Sequence, residues 1–367
     1  MVNNKNMNIL ITGVGGPTPK GVAMSLKMAN PTVRIIGVDS NKFAPGLYSD
    51  FTYDNSYVIE NAQKDPIQYW RDIEKIVKFE KIDYAFVVPE TELLEWCTRK
   101  NNTDDLPCKS FLPDFNVANF LFDKLKVGSY LEPFGLTPRT IKVDNLNIET
   151  TEKLMTDLQY PYWVRLNKTA GAIGALKINS SEDLLNWFNF IDFTNDVIAS
   201  PFLPGRNYAT KLLYENGNLV LAASAERIEY LLSNASPTKI SGMCSRGKLI
   251  NSEELVNRAK YGIELIFRKF DIIPHGMFTV DFKEDINNIP LITEINIRHV
   301  SFTHAFTLGG ANFADKTLSI LTGKDLISVK PSYNFEEEFN FLRGVDNELK
   351  IVKESDVDYL MNKLKSL

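Results

Sequence analysis

The chain has 367 residues, of which 44% are hydrophobic and 24% are charged, and its formal net charge is -5. This composition is typical of a soluble globular protein with two or three domains. The small negative charge argues against nucleic-acid binding, and no apolar run has the length of a membrane span. Three widely spaced cysteines match neither a disulfide framework nor a zinc site, so we expect a cytoplasmic protein with no membrane partner.

The first predicted unit is a strand, a glycine-rich turn and a helix. The strand covers residues 8–12, and the turn that follows contains Gly15 and Gly16. A second strand, residues 33–38, ends at Asp39, where a dinucleotide-binding fold places its ribose ligand. The turn has Thr18 where the dinucleotide fingerprint has Gly or Ala, and a lone glycine-rich turn is weak support for that fingerprint. The alternatives are a structural turn or an anion site at the helix start.

The alternation of helices and strands continues through the first third of the chain. The predicted elements are a helix at 66–79, a strand at 84–88, a helix near 93–99 and a strand at 110–112. Together they indicate an open parallel sheet, whose ligands gather at the carboxyl ends of the strands. Glu90 and Glu92 follow the third predicted strand and lie at this edge. The alternative interpretation is that both are acidic residues that stabilise the start of a helix.

The middle of the chain combines basic residues with a loop of small residues. Lys124 begins a predicted helix, and Arg165 ends a predicted strand at 160–165. Residues 169–174 form a loop rich in glycine and alanine before the next strand at 175–178. Such a loop lets backbone N–H groups approach phosphate oxygens, although an ordinary β-hairpin has the same composition.

Two acidic strands follow a predicted amphipathic helix at 253–270. Each alternates apolar and polar residues, and a polar turn separates them: 277–282 and 291–298. Glu294, Asn296 and Arg298 lie at i, i+2 and i+4, so we expect them on one face of the sheet. Asp281 reaches the same face if the strands pair. Carboxylate and amide oxygens are suitable ligands for Mg²⁺, but a solvated face with one ion pair shows the same pattern.

The order of these features resembles the ATP-grasp ligases, and in particular the stand-alone proteins similar to the carbamoyl-phosphate synthetase large subunit. The resemblance covers roughly residues 7–324. It implies a mixed α/β and α+β fold with three parts: a Rossmann-like pre-ATP-grasp domain at 1–115, an ATP-grasp domain at 116–330 with its lid subdomain at about 140–205, and a C-terminal extension with a terminal helix at 331–367.

The resemblance also implies a role for each site residue. ATP would be contacted by Lys124, Arg165, Gly171, Ala172, Ile173, Gly174, Pro201, Phe202, Leu203 and Asn207. The metal, Mg²⁺ or alternatively Mn²⁺, would be held by Asp281, Glu294 and Asn296, and Arg298 would be catalytic. Substrate contacts would come from Gly15, Gly16, Glu90, Arg246, His299 and Ser301. The chain departs from the family pattern at Ser200, Asn207 and Lys211, where the family usually has acidic residues.

The function that the resemblance implies is an ADP-forming ligase that joins a small-molecule carboxylate to an amine and uses ATP and Mg²⁺. It also allows a homodimer. With 367 residues the chain has room for one ATP-grasp unit, so we do not expect it to make carbamoyl phosphate alone. Two alternatives remain open. One is a catalytically silent nucleotide-binding protein, and the other is a nicotinamide-dependent oxidoreductase that uses the glycine turn.

Overall fold

The structure is a computed structural model that describes most of the chain. The described residues are 7–49, 51–143, 153–154, 156–168, 174–190, 196–233, 242–324, 326, 331–337, 339–344 and 354–367. The predicted lid residues Gly171, Ala172 and Ile173 lie outside these ranges. No helix in the described ranges is long and apolar enough to cross a membrane.

The N-terminal part is a parallel sheet between helices. Among the described residues the sheet has five strands in the order β3-β2-β1-β4-β5. Its strands are β1 (Asn8–Thr12), β2 (Arg34–Asp39), β3 (Asn55–Val58), β4 (Tyr84–Phe86) and β5 (Lys109–Ser110). Its helices are α1 (Pro17–Ala29), α2 (Pro66–Glu80) and α3 (Glu90–Thr103). The predicted open parallel sheet is confirmed, although the sequence analysis missed β3 and placed the last strand at 110–112.

Two helices follow this sheet and lead into a small antiparallel sheet. The helices are α4 (Phe115–Leu121) and α5 (Lys124–Leu131). The sheet has the order β6-β9-β7-β8, with β6 (Ile141–Val143), β7 (Tyr162–Leu166), β8 (Leu176–Ile178) and β9 (Val197–Pro201). Helix α6 (Ser181–Phe190) connects β8 to β9 and buries Leu184 and Trp187 in the same apolar cluster as the strands.

The large antiparallel sheet forms the centre of the C-terminal part. Its order is β14-β13-β10-β11-β12-β15 within the described residues. Its strands are β10 (Asn207–Glu215), β11 (Asn218–Tyr230), β12 (Cys244–Ile250), β13 (Gly276–Glu284), β14 (Pro290–Asn296) and β15 (Phe339–Leu342). Helix α7 (Glu253–Lys269) covers one face, where its buried apolar side chains join Phe278, Val280 and Ile295 in one core. The opposite face is therefore available for the polar residues of the strands.

The end of the chain connects the two large sheets. Helices α8 (Thr303–Leu308) and α9 (Phe313–Leu321) pack on α1. At this contact Thr307 Oγ1 donates to Ser25 Oγ at 2.8 Å, and His304 Nδ1 lies 3.0 Å from the same hydroxyl. Helix α10 (Glu354–Lys363) returns to the edge of the parallel sheet, where Lys363 Nζ donates to Ser56 O at 3.2 Å.

Candidate active site

Two carboxylates face each other across the hairpin of β13 and β14. The register places Asp281 opposite Glu294 and Thr279 opposite Asn296. A β-bulge follows Asp281, and beyond it Phe282 pairs with Ile292, so that both side chains are buried in the core under α7. The side chains of Asp281, Glu294 and Asn296 therefore share the face opposite α7, as the period-2 alternation predicted.

Asp281 is a buried carboxylate with one oxygen unused. Its Oδ2 lies 3.2 Å from Arg227 Nη1, whereas its Oδ1 is buried and has no hydrogen-bond partner in the described structure. Burial raises the pKa of Asp281 to about 6, although Arg227 acts in the opposite direction. An orphaned carboxylate oxygen costs free energy unless a donor or a cation reaches it. The Oδ1 atom is thus a ready position for a metal ion.

Glu294 is held by the ammonium group of Lys124. The Lys124 Nζ lies 3.2 Å from Glu294 Oε1 and donates to Asn167 O at 3.1 Å. The lysine takes this position because Asp123 caps α5 by accepting from Lys126 N, and the same carboxylate accepts from Asn167 Nδ2 at 2.9 Å. Burial raises the pKa of Glu294, but Lys124 and Arg165 outweigh it, so the pKa lies below its usual value.

Two arginines border this carboxylate pair. Arg165 donates from Nη2 to Thr293 O at 2.8 Å, which fixes its guanidinium beside β14. Arg298 follows β14, donates from Nη1 to His299 O at 3.2 Å, and places Nε 3.8 Å from Glu90 Oε2. Glu90 is the first residue of α3, so the parallel sheet and the large sheet meet at this ion pair. Burial raises the pKa of Glu90 against the effect of Arg298.

The donor set fits a magnesium ion. Two carboxylates and the buried amide of Asn296 are hard oxygen ligands, and Asp281 Oδ1 has no other partner among the described residues. The part of the chain that the structure describes holds no cluster of three or more His, Cys, Asp or Glu side chains suited to a metal. A site here would therefore use Asn296 as its third protein ligand and complete its shell with water or phosphate.

The residues predicted to hold the nucleotide border the small sheet. Pro201 ends β9, and Phe202 donates its N–H to Pro161 O at 3.3 Å, with Lys177 Nζ 4.3 Å from the centre of its ring. Leu203 is buried. Gly174 has a φ of 69° and accepts from Trp187 Nε1 at 3.1 Å.

Asn207 is the first residue of β10, opposite Lys283 and Arg227. It therefore begins the strand that lies between the carboxylate hairpin and β11.

The predicted substrate residues do not all lie together. Glu90, Arg298, His299 and Ser301 are joined by the contacts around Arg298 and by the chain itself. Arg246 lies in β12 and pairs with exposed Glu229 at 2.9 Å. Pairing with β11 and β15 on both sides stabilises this segment as a strand.

The glycine turn after β1 is held by Asp39, the last residue of the neighbouring strand β2. Gly15 N donates to Asp39 Oδ2 at 2.7 Å, and Asn41 N donates to Asp39 Oδ1 at 2.8 Å. A Cβ on Gly15 would lie 3.0 Å from the Cβ of Ala44, which explains a glycine there. Gly16 caps α1. Asp39, the expected ribose ligand of a dinucleotide site, therefore holds the turn in place.

Sequence reasoning missed Arg227 and Arg343 near the site and identified Lys211 only as a departure from the family pattern. Arg227 pairs with Asp281, buried Lys211 contacts His299, and Arg343 donates from Nη2 to Ser301 O. The alternation along β10 and β11 could have placed Lys211 and Arg227 on the face of Asp281. Arg343 gave no such signal because it directly follows β15, in a segment predicted as a C-terminal extension.

Comparison with known proteins identifies the fold. No family model matches the sequence, and no curated protein sequence matches it. Solved structures do match, among them N5-carboxyaminoimidazole synthetase from Staphylococcus aureus complexed with ADP, at 19% identity and a TM-score of 0.65 over 98% of this chain and 86% of that chain.

Two further structures give the same result. Carboxyaminoimidazole ribonucleotide synthase from Aspergillus clavatus, complexed with ATP, matches at 13% identity and a TM-score of 0.67, over 92% of this chain and 82% of the other. L-amino acid ligase from Bacillus licheniformis matches at 15% identity and a TM-score of 0.61, over 90% and 78%. The chain therefore has the ATP-grasp fold.

Proposed function

We propose that the chain is an ATP-dependent, ADP-forming ligase that joins a carboxylic acid to an amine or a similar nucleophile. The observation that carries the proposal is the pairing of Asp281 with Glu294 on one sheet face, with Lys124 and Arg298 beside them. Acidic metal ligands beside cations that can reach phosphate are the parts that phosphoryl transfer requires. Solved structures with this fold include complexes with ADP and ATP, which supports the same ligand here.

The proposed reaction has two steps. A carboxylate oxygen of the substrate attacks the γ-phosphorus of ATP, and the bond to the bridging oxygen breaks, so that ADP leaves and an acyl phosphate forms. The amine nitrogen then attacks the acyl carbon, the bond to the phosphate oxygen breaks, and the nitrogen loses its proton. The chain would mainly position the reactants and stabilise charge.

The cations of the site would act on the phosphates. Lys124 and Arg165 would hold phosphate oxygens, and the planar guanidinium of Arg298 would donate to the group in transfer as charge develops on it. Asp281, Glu294 and Asn296 would hold Mg²⁺, which would neutralise charge on the β- and γ-phosphates.

A catalytically silent nucleotide-binding protein is the second candidate. Ser200 and Asn207 replace acids that the family usually has on the nucleotide side, and an amide holds a ribose hydroxyl less strongly than a carboxylate. This candidate predicts ATP binding without turnover on any acid.

One experiment separates the candidates. ADP release is measured with ATP and Mg²⁺ over an array of carboxylic acids, each paired with a set of amines, and the nucleotide product is identified. The ligase predicts ADP, and no AMP, with at least one acid. The proposal would be contradicted if calorimetry detected no ATP binding, or if the nucleotide product were AMP. Calorimetry with NAD(H) in parallel tests the oxidoreductase alternative.

A further inference from the structure

A fully buried lysine lies on β10, the strand next to the β13–β14 hairpin that carries the two carboxylates. Lys211 is on β10, opposite Thr279, which in turn is opposite Asn296. Its relative exposure is 0%. The Nζ atom lies 2.8 Å from His299 Nδ1 and donates to Thr303 Oγ1 at 2.8 Å.

The surroundings of this lysine disfavour a charge. Its contacts include an imidazole, a hydroxyl and the ring of Phe313, whose centre lies 5.0 Å from Nζ. The ring favours the ammonium form, whereas burial opposes it. Burial lowers the pKa of Lys211 well below its usual value, and nearby Arg298 lowers it further. A group this costly to bury needs a compensating role, because an apolar residue would fill the position without a desolvation penalty.

The histidine beside it has one satisfied and one unsatisfied nitrogen. His299 is 3% exposed, and its Nε2 is buried with no hydrogen-bond partner among the described residues. If Lys211 donates to Nδ1, the ring carries its proton on Nε2. That N–H is then buried without an acceptor, which costs about 1–3 kcal/mol until one arrives.

His299 lies in the part of the site where the two large sheets meet. His299 follows Arg298, and the guanidinium of that arginine binds the His299 carbonyl oxygen at 3.2 Å. The imidazole lies against Phe86 of β4, with ring centres 6.0 Å apart. Glu90, a few residues after Phe86, pairs with Arg298. His299 is thus fixed between the parallel sheet and the hairpin of β13 and β14.

We propose that Lys211 is a positioning residue that holds His299 in the Nε2-protonated tautomer, so that its N–H donates to an oxygen of the substrate carboxylate. Thr303 completes the arrangement by accepting from Lys211. The donation to substrate rests on the proposed ligase function, whereas the tautomer does not. Lys211 would thereby act on the substrate through His299 without touching it.

The tautomer is measurable by nitrogen-15 NMR on the full chain, because the sequence has only three histidines. We expect His299 to show a protonated Nε2 and a bare Nδ1 in the wild type. Lys211→Met removes the donor and should give a mixture of tautomers at His299, while Lys211→Gln, which keeps an N–H donor, should restore the single form. His275 and His304 serve as internal controls with unchanged signals. A wild-type Nδ1–H tautomer, or a Lys211→Met spectrum identical to the wild type, would overturn the proposal.

The kinetic arm uses the acid that gives the fastest ADP release in the array screen. Lys211→Met and His299→Phe should raise the KM for this acid by about tenfold or more, as expected for a lost hydrogen bond to a charged group, and leave the KM for ATP unchanged. Unchanged KM for the acid in His299→Phe would overturn the role of that N–H.

Thermal unfolding checks that each variant is folded. If Lys211→Met is not, the wild-type spectrum and the His299→Phe kinetics decide the proposal, and His275→Asn is the control for a histidine outside the site. A complete lack of ADP formation in the wild type would refute the ligase function and the donation to substrate together, while the NMR result would still decide the role of Lys211.

Discussion

Glu294→Gln tests the proposed metal site separately from the stability of the fold. The substitution keeps the size and shape of the side chain and removes one negative charge. Its present partner is Lys124 Nζ at 3.2 Å, and the Glu294 side chain is 28% exposed. The variant therefore tests whether this charge serves the reaction or only the ion pair.

Two effects of different size follow from that geometry. At 3.2 Å and an effective dielectric constant of roughly 20, the attraction between the two charges is about 5 kcal/mol before desolvation is subtracted. Lys124 keeps Asn167 O as an acceptor and Glu294 is partly solvated, so we expect a net loss of only about 2 kcal/mol in the free energy of unfolding. Loss of a charge that holds the metal should lower kcat by about 10²–10³, or roughly 3–4 kcal/mol.

The assay is ADP release with the best acid of the screen, together with denaturant unfolding of the same preparation. Glu80→Gln is the control, because Glu80 ends α2 and forms an ion pair with Arg34 of β2 at 2.6 Å, and its side chain is more buried than that of Glu294. The control should lose stability and keep its kcat. If Glu294→Gln retains near wild-type ADP release while its stability falls like that of the control, Glu294 is a structural residue and the metal assignment is wrong.

Three further predictions test other parts of the site. Arg298→Lys keeps the charge but loses the planar pair of donors, so kcat should fall about a hundredfold while the ATP dissociation constant by calorimetry changes little; the reverse pattern would make Arg298 a nucleotide-binding residue only. Burial raises the pKa of Glu92 from 4.5 to about 7, so its charged form destabilises the fold above about pH 7 and the penalty disappears as the pH falls toward 4.5. Glu92→Gln should therefore be more stable than the wild type at about pH 8, by at most about 3 kcal/mol, and equal to it at about pH 4; a constant difference in denaturant unfolding would contradict this. Calorimetry without Mg²⁺ should show a weaker ATP complex than with it, and equal affinities would argue against a metal at Asp281 and Glu294.

The acidic hairpin shows how much of the site was predictable. Alternation of apolar and polar residues predicted strands at 277–282 and 291–298, and the structure has Gly276–Glu284 and Pro290–Asn296. The faces were predictable for the same reason, because a period of two leaves one choice once a core side is assigned. Arg298 lies just past the end of β14, so its contact with Glu90 depends on how the chain leaves the strand.

The missed residues depend on contacts between distant segments. Arg343 reaches Ser301 only because β15 pairs with β12, and residues 339–342 alternate too briefly to predict a strand. Asp39 was predictable as the residue at the end of β2, but its hydrogen bond to Gly15 depends on the shape of the turn. Lys211 was visible only as a departure from the family pattern. Its burial follows from α8, which brings Thr303 and the preceding His299 over β10.

The ion pairs of the site explain how it can hold several positively charged side chains before any ligand is bound. Lys124 pairs with Glu294, Arg227 with Asp281, and Arg298 with Glu90. Each pair lowers the cost of a charge that is largely out of water. If a metal takes the carboxylates of Glu294 and Asp281, their cations lose partners at the moment when phosphate oxygens arrive beside them. If phosphate arrives alone, it competes with those carboxylates for the same cations. The two ligands would therefore satisfy the site together better than either would separately, which supports one shared face for the proposed metal and phosphate sites.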